Sequence, residues 1–471
     1  MLKNHIIDVF LRHFDFELTG GQRIVIESLA EMTVTPKANS LMLIKGYAGT
    51  GKTSVIAAFI KTLEGFGIHS LLMAPTGRAA KVLSAYSGKE AFTIHKKIYR
   101  RKSSSDGWGA FTLNYNACSN TFFIVDEASM IARYSADHNV FGSGNLLDDL
   151  IRFVYNSKNC RLILIGDNAQ LPPVGQEESP ALDKQLLESY GLSVCVHEMT
   201  DVVRQSQESG ILHNATIVRN MLAAGSPNYP TLNIRPFADV ERIAGDELIE
   251  AISDAYDRYG IENTSMICRS NKQANRYNMG IRNRILYRED ELERGDFLMV
   301  VRNNYFWIRD SEEISFIANG DIVEMKGIRK YINRYGFRFA EVELSMPDYH
   351  DTEFTAIILL DTLWSDNASL SAEQGRKLWD AVAEDYAHIP VKKERFRKIK
   401  EDPFFNALQV KFSYAVTCHK AQGGQWKCIF LDQGWIKDDM PDIEYLRWLY
   451  TAITRSSEKL YLVNFPDSFF A

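Results

Sequence analysis

The sequence predicts an α/β protein built as two parallel-sheet halves, with a small β domain inserted into the second half. Three observations carry this expectation. Short, continuous apolar runs alternate with helical segments, the way strands covered on both faces of a parallel sheet read. A phosphate-loop pattern, GYAGTGKT at 46–53, lies between one such run and a helix. Between 296 and 409 the texture changes to shorter runs with turn residues between them. At 471 residues there is room for about three domains, and a hydrophobic content of 45% is that of ordinary globular domains.

Along the chain, MLKNHIIDVFLRHFDF reads as a short amphipathic helix. It lacks the apolar run and small-residue cleavage site of a signal peptide. No run of 18 or more apolar residues occurs, so no membrane span and a cytoplasmic location are expected. LMLIKG (41–46), SLLMAP (70–75), FFIVDE (122–127) and RLILIGD (161–167) read as buried strands of the first half. SMICRS (265–270), CIFLDQG (428–434) and KLYLVNF (459–465) resume the pattern. KSSSDG (102–107) reads as a hairpin tip or flexible loop. In the insert, FLMVVRNNYFWI, EISFIANGDIVEMKGI and RFAEVELSM are strand-like, with NGD (319–321) and GFR (336–338) as turns. A helical excursion near 371–386 and the stretch KKERFRKIKED (392–402) lead back to the second half. The expected divisions are 1–195 for the first core, 196–295 with 410–471 for the second, and 296–409 for the insert.

None of the six cysteines sits at CxxC spacing, which argues against a zinc site or disulfide framework and for buried thiols in a reducing compartment. The net charge of −6 does not advertise a nucleic-acid partner. The charge is uneven, however: basic residues crowd the stretch from Arg78 to Lys102 with almost no acids. A local track of that kind binds phosphates even on an acidic protein, and from charge alone a solvated face fits it equally.

The chemistry is carried by an ordered series. In the phosphate loop, Gly46, Gly51, Lys52 and Thr53 fit the pattern GxxxxGK[ST], and Ala48, Gly49, Thr50 and Ser54 complete the nucleotide cradle. Glycines let the backbone curl so that amides face phosphate oxygens, and the following helix adds its positive end. Lys52 neutralises the β and γ phosphates of ATP, and Thr53 ligates magnesium. Asp126 and Glu127 close a buried strand, where carboxylates are costly without a cation partner. Asp126 would hold magnesium, and Glu127 would orient and deprotonate the attacking water. Past the next strand, Asp167 and Gln170 lie in GDNAQLPP, with Gln170 in reach of a γ-phosphate or its water. TAITR at 451–455 adds an arginine from the second half. This order describes an ATP-driven motor with two cores.

With these residues in place, the chain resembles superfamily 1 helicases of the 5′→3′ class, the RecD-like and Dda-like members above all. The resemblance covers nearly the whole chain. It implies two RecA-like cores and an SH3-like β insert. Gln22, in LTGGQRIVIESL, resembles the glutamine that reads adenine. APTGRAAKVL (74–83) and FTIHKKI (92–98) resemble strand-binding motifs, which implicates Thr76, Arg78, Lys81, Thr93 and His95. DVVRQ (201–205) and TAITRSSEKL (451–460) imply that Arg204 and Arg455 reach the γ-phosphate across the cleft. VTCHKAQGGQW (416–426) implies DNA contacts by Thr417, His419 and Lys420, with Gln422 and Gly423 nearer the nucleotide. CRSNKQANRYNMGIR (268–282) adds Arg269 and Asn271 as strand contacts. Residues 99–120 fall where the family inserts a duplex-splitting hairpin, with Trp108 or Phe111 as the stacking aromatic.

The resulting expectation is an ATP- and magnesium-dependent DNA helicase, monomeric, acting on single strands and single-strand/duplex junctions. Loading or repair proteins are its expected partners, and the 5′→3′ polarity rests on the resemblance alone. Two other enzyme readings stand beside it: a strand translocase that needs a partner to unwind, and a helicase acting on RNA. From a different class, an ATP-switched scaffold would have no need of two arginines from the distant half.

Overall fold

The computed structural model describes residues 2–14, 17–35, 37–101, 111–133, 142–201, 208–225, 228–308, 316–434 and 441–470. The first core is a six-stranded parallel sheet in the order β3-β2-β6-β7-β1-β8. Its strands are β1 (Ser40–Gly46), β2 (Ser70–Ala74), β3 (Ala91–Thr93), β6 (Phe122–Val125), β7 (Arg161–Gly166) and β8 (Ser193–Met199). β2, β6 and β7 are buried along their whole length, as continuous apolar runs require when helices cover both faces. β4 (Tyr99–Arg101) and β5 (Phe111–Leu113) form a separate antiparallel pair.

β8 has no apolar run. It is a half-exposed edge strand, SVCVHEM, that pairs with β1 over all seven residues. The first sheet therefore continues to Met199, past the expected division at 195. A polar edge strand gives no hydrophobic signal by which to place that boundary.

The second core is a five-stranded parallel sheet, β16-β10-β17-β18-β9. β9 (Val240–Ile243) and β10 (Thr264–Cys268) precede the insert, and β16 (Ala415–Thr417), β17 (Trp426–Asp432) and β18 (Ser456–Val463) follow it. The insert closes into a five-stranded barrel of β11 (Phe297–Val300), β12 (Ile322–Arg334), β13 (Phe337–Met346), β14 (Thr352–Leu359) and β15 (Leu408–Phe412). Tyr335 and Gly336 both have positive φ, the geometry of the two-residue turn that suits a twisted hairpin. The helical excursion between β14 and β15 is two helices, Ala372–Asp385 and Lys392–Lys400. They pack Leu378, Val382 and Ile399 onto the outside of the barrel beside Phe339.

A buried ionic cluster ties the barrel to the second core. The Asp296 carboxylate accepts two hydrogen bonds from the Arg282 guanidinium (3.1 and 3.0 Å), one from Arg288 (2.6 Å) and one from the Tyr414 hydroxyl (2.9 Å). Asp296 is fully buried and the Arg282 side chain is 3% exposed. Removing one partner of such a pair leaves an uncompensated charge inside the protein. We expect Asp296→Ala to cost about 3–5 kcal/mol in urea unfolding, with a cost below about 1 kcal/mol excluding a structural role for the cluster.

Candidate active site

Both cores contribute to one cleft of about 390 Å³. From the first core it is lined by Ala48, Gly49, Gly51, Lys52, Thr53 and Ser54 of the phosphate loop and helix, by Asp126 and Glu127 after β6, and by Asp167 and Gln170 after β7. Gly423, Gly424, Thr454 and Arg455 line it from the second core. Gly49 and Gly51 adopt φ of +76° and +81°, which lets the loop turn between β1 and the helix Lys52–Gly65. Lys52 folds back to donate to the carbonyl oxygens of Gly46 (2.6 Å) and Tyr47 (2.8 Å). Those are neutral acceptors, and a phosphate offers the ammonium a charge-assisted bond instead.

The carboxylates are set by backbone and burial together. Glu127 has a φ of +51°, uncommon for a residue with a side chain, which turns it out of the strand direction. Its amide donates to Asp126 Oδ1 at 2.8 Å. Burial, with the charge of Glu127 second, raises the Asp126 carboxyl to about 6. Asp167 is likewise raised, chiefly by burial.

Arg455 is 5% exposed and lies 3.6 Å from Glu127 Oε1 across the cleft. It is held by hydrogen bonds to the carbonyl oxygens of Thr451 (3.1 Å) and Gly424 (3.3 Å). With the Gln170 amide turned to suit its neighbours, its nitrogen donates to Glu127 Oε2 (3.3 Å) and its oxygen accepts from Arg455 (3.1 Å). Carboxylate, amide and guanidinium thus form one connected group spanning the two cores.

Among the described residues no group of three or more His, Cys, Asp or Glu side chains could enclose a metal. Thr53 and Asp126 offer two oxygen donors on the same cleft. That sparse set fits magnesium, which keeps waters and phosphate oxygens in its shell rather than an all-protein cage.

Other expected cleft residues stand elsewhere. Gln22 is fully buried and does not line the cleft. It completes a capping box with Thr19 at the start of the helix Gly20–Val34, and its Nε2 donates to the Thr50 carbonyl oxygen (3.1 Å). It braces the phosphate loop from behind. Thr50 is fully buried, its hydroxyl donating to the Tyr47 carbonyl oxygen (2.8 Å), and Gly46 ends β1 behind the loop. Arg204 lies outside the described residues.

The residues expected on DNA sit where sheet strands give way to helices. Thr76 and Thr93 are N-caps of the helices Gly77–Ser87 and Ile94–Ile98, and Thr417 precedes the helix Cys418–Ala421. Asn271 opens the helix Asn271–Arg284. Arg269 lies over the rings of Tyr445 and Trp448 at 5.1 and 5.6 Å. Burial lowers His419, and it lowers Lys420 to about 8 with the charge of Lys411 second.

Three more are engaged within the protein. The Arg78 guanidinium stacks on Trp426 of the second core at 3.7 Å. Lys81 pairs with Asp348 of the barrel at 3.0 Å. His95 packs between the rings of Tyr99 and Phe316, and that burial pushes its imidazole down to about 4. It therefore brings no positive charge at neutral pH. The barrel also sits tightly on the start of the helix Gly77–Ser87: a Cβ at Gly77 would lie 2.3 Å from the Tyr349 hydroxyl oxygen.

Of the two stacking candidates in the hairpin, Trp108 lies outside the described residues. Phe111 is 5% exposed, packed against Tyr305 (4.9 Å) and Phe316 (6.3 Å). It is core, not a ring free to stack on a base pair. The apolar neighbours that hold it come from the β insert, which local sequence around 99–120 does not reveal.

Tyr450 and Thr451 also bridge the cores, though neither is among the residues the motifs single out. The Thr451 hydroxyl accepts from Leu171 N (2.8 Å), and the Tyr450 hydroxyl donates to Asp167 Oδ2 (2.6 Å). Thr451 opens the run that ends in Arg455 and Tyr450 immediately precedes it, which was the available signal. Gln422 adds a third link, donating to the Leu171 carbonyl oxygen at 2.6 Å.

Residues 17–225 match the AAA domain family, and residues 412–463 match the UvrD-like helicase C-terminal domain. The ATP-dependent DNA helicase dda of enterobacteria phage T4 is 26% identical over 472 residues, covering 95% of this chain and 99% of that protein. The ATP-dependent RecD2 DNA helicase of Deinococcus radiodurans is 29% identical over 160 residues, 33% of this chain and 18% of that protein. A solved structure of two coordinating Pif1 helicases at forked duplex DNA aligns over 97% of this chain and 94% of its own, with 16% identity and a TM-score of 0.47. No helix among the described residues is long and apolar enough to cross a membrane.

Proposed function

Because the chain belongs to the superfamily 1 helicases of the 5′→3′ class, we propose that it is an ATP-dependent DNA helicase that moves 5′→3′ along a single strand and opens duplex ahead of it. The observation that carries this reading is the approach of Arg455 to Glu127, a guanidinium from one core 3.6 Å from a carboxylate of the other. A motor needs a catalytic group that arrives only when its two halves close.

In this reading Lys52 leaves the carbonyl oxygens of its own loop for the β and γ phosphates. Thr53 and Asp126 would hold magnesium, which would supply Lewis-acid polarisation of the phosphoryl oxygens. Glu127 takes the proton of the attacking water, and Gln170 orients that water beside it. Arg455, with Arg204 from the segment 201–205, neutralises the charge that spreads over the transferred phosphoryl group. Loss of the γ-phosphate removes what both arginines hold, and the cleft opens.

The strand is gripped on the side where Thr76, Thr93, Thr417 and Asn271 begin their helices, with Arg78, Lys81, His95, Arg269, His419 and Lys420 beside them. Helix starts present unpaired amides to phosphates, and contacts to the backbone carry little sequence preference. Arg78 and Lys81 exchange Trp426 and Asp348 for the strand when it enters. Cleft closure and opening, coupled to alternating grip by the two cores, turn hydrolysis into travel.

The test uses two partial duplexes, one with a 5′ and one with a 3′ single-stranded tail, with and without ATP. The 5′-tailed substrate should open at least about tenfold faster, and only with ATP. Opening of the 3′-tailed substrate alone would overturn the polarity. Strand-stimulated ATP hydrolysis without opening of either would make the chain a translocase that relies on a partner.

A further inference from the structure

The helix Ile443–Ile453 is buried along most of its length, and the ring of Tyr450 is part of that packing. A phenylalanine would fill the same space. The hydroxyl does something packing does not require: it crosses to the first core and meets two groups there. It accepts from Ala48 N in the phosphate loop at 2.9 Å and donates to Asp167 Oδ2 at 2.6 Å. The other oxygen of Asp167 accepts from Ala169 N at 2.9 Å, which shapes the turn that carries Gln170. Tyr450 and Asp167 are each 1% exposed, so water does not readily stand in for the bond between them.

The same stretch of chain makes two more crossings. Thr451 takes the Leu171 amide at 2.8 Å, and Arg455 faces Glu127. The phosphate loop, the Gln170 turn and Glu127 are therefore all touched from the end of one helix of the opposite core.

We propose that Tyr450 is a positioning residue for hydrolysis: its hydroxyl pins the phosphate loop to the Asp167–Gln170 turn and ties both to the second core, so that strand-driven movement of that core sets the water-orienting amide. The proposal rests on the helicase reading above. It assigns to Tyr450 no contact with ATP. Its effect should fall on turnover under strand stimulation and not on nucleotide affinity.

The experiment is a double-variant cycle on the full chain, with Tyr450→Phe, Asp167→Ala and the pair, assayed for ATP hydrolysis with and without single-stranded DNA. Tyr450→Phe should lower the strand-stimulated kcat at least about fivefold and leave the KM for ATP within about twofold. The pair should lose no more than the worse single variant, as groups acting through one bond do. Thermal melting and strand binding by Tyr450→Phe check that the retained ring keeps the fold. A strand-stimulated kcat within about twofold of the parent overturns the proposal. So does a raised KM at unchanged kcat, or losses that multiply in the pair. A parent chain with no strand-stimulated hydrolysis would instead overturn the helicase reading itself.

Discussion

Replacing Glu127 by glutamine is expected to lower strand-stimulated kcat by roughly 10²–10⁴-fold while ATP still binds, because a general base contributes on that scale. Glutamine keeps the size of the side chain and can still meet Arg455 and Gln170, but it cannot accept the proton of the attacking water. Nucleotide binding should survive for two reasons. Lys52 and the loop amides are untouched, and the Glu127 charge is one of the causes that raise the Asp126 carboxyl. Without that charge Asp126 ionises more readily, so the magnesium ligand is strengthened. Steady-state hydrolysis, paired with equilibrium binding of a fluorescent ATP analogue, separates the two effects. Turnover within about twofold of the parent would remove Glu127 from the catalytic assignment.

Arg455→Ala should be as severe, about 10³–10⁵-fold in kcat, the range for an arginine that stabilises phosphoryl-transfer charge. Arg455 is held by two carbonyl oxygens and lines the cleft beside Glu127. Single-strand affinity should therefore stay within about threefold, measured by anisotropy, since no phosphate contact is lost. Arg455→Lys should not rescue. An ammonium is a compact point charge that cannot fork to Glu127, Gln170 and a phosphoryl oxygen together. Rescue by lysine to more than about a tenth of the parent rate would reduce the role of Arg455 to a diffuse charge.

Much of this was legible before any coordinates. β6 and β7 announced themselves as continuous apolar runs, whereas β15, buried along its length too, carries Gln409 and Lys411 and did not. The cleft residues Lys52, Thr53, Asp126, Glu127, Gln170 and Arg455 were each marked by a local motif tied to a strand end. What stayed hidden depends on partners far along the chain. Tyr450 reads as one more apolar residue of a buried helix, because its hydroxyl partner Asp167 lies 283 residues away. Phe111 looked free because the rings that cover it belong to the insert. Gln22 fits two chemistries; here its Oε1 accepts from Thr19 N in the capping box while its Nε2 is taken up by the Thr50 carbonyl oxygen, a partner 28 residues away. Lys81 looked like an open phosphate contact because Asp348 is 267 residues distant.

The second sheet has a consequence for how the protein comes into being. All strands of the first sheet are present by Met199, but β10 must wait for β16 and β17, its neighbours from beyond the barrel. The last barrel strand ends at Phe412, so the barrel can close before the second sheet has its central strands. Arg455 comes later still. At about 5–20 residues per second, a ribosome takes on the order of 10–50 s to travel from Met199 to Arg455. During that interval the nascent chain carries a complete phosphate loop and Glu127 but no Arg455. On the roles proposed for these residues, we expect it to hold nucleotide but to hydrolyse it about 10³–10⁵-fold more slowly than the finished chain.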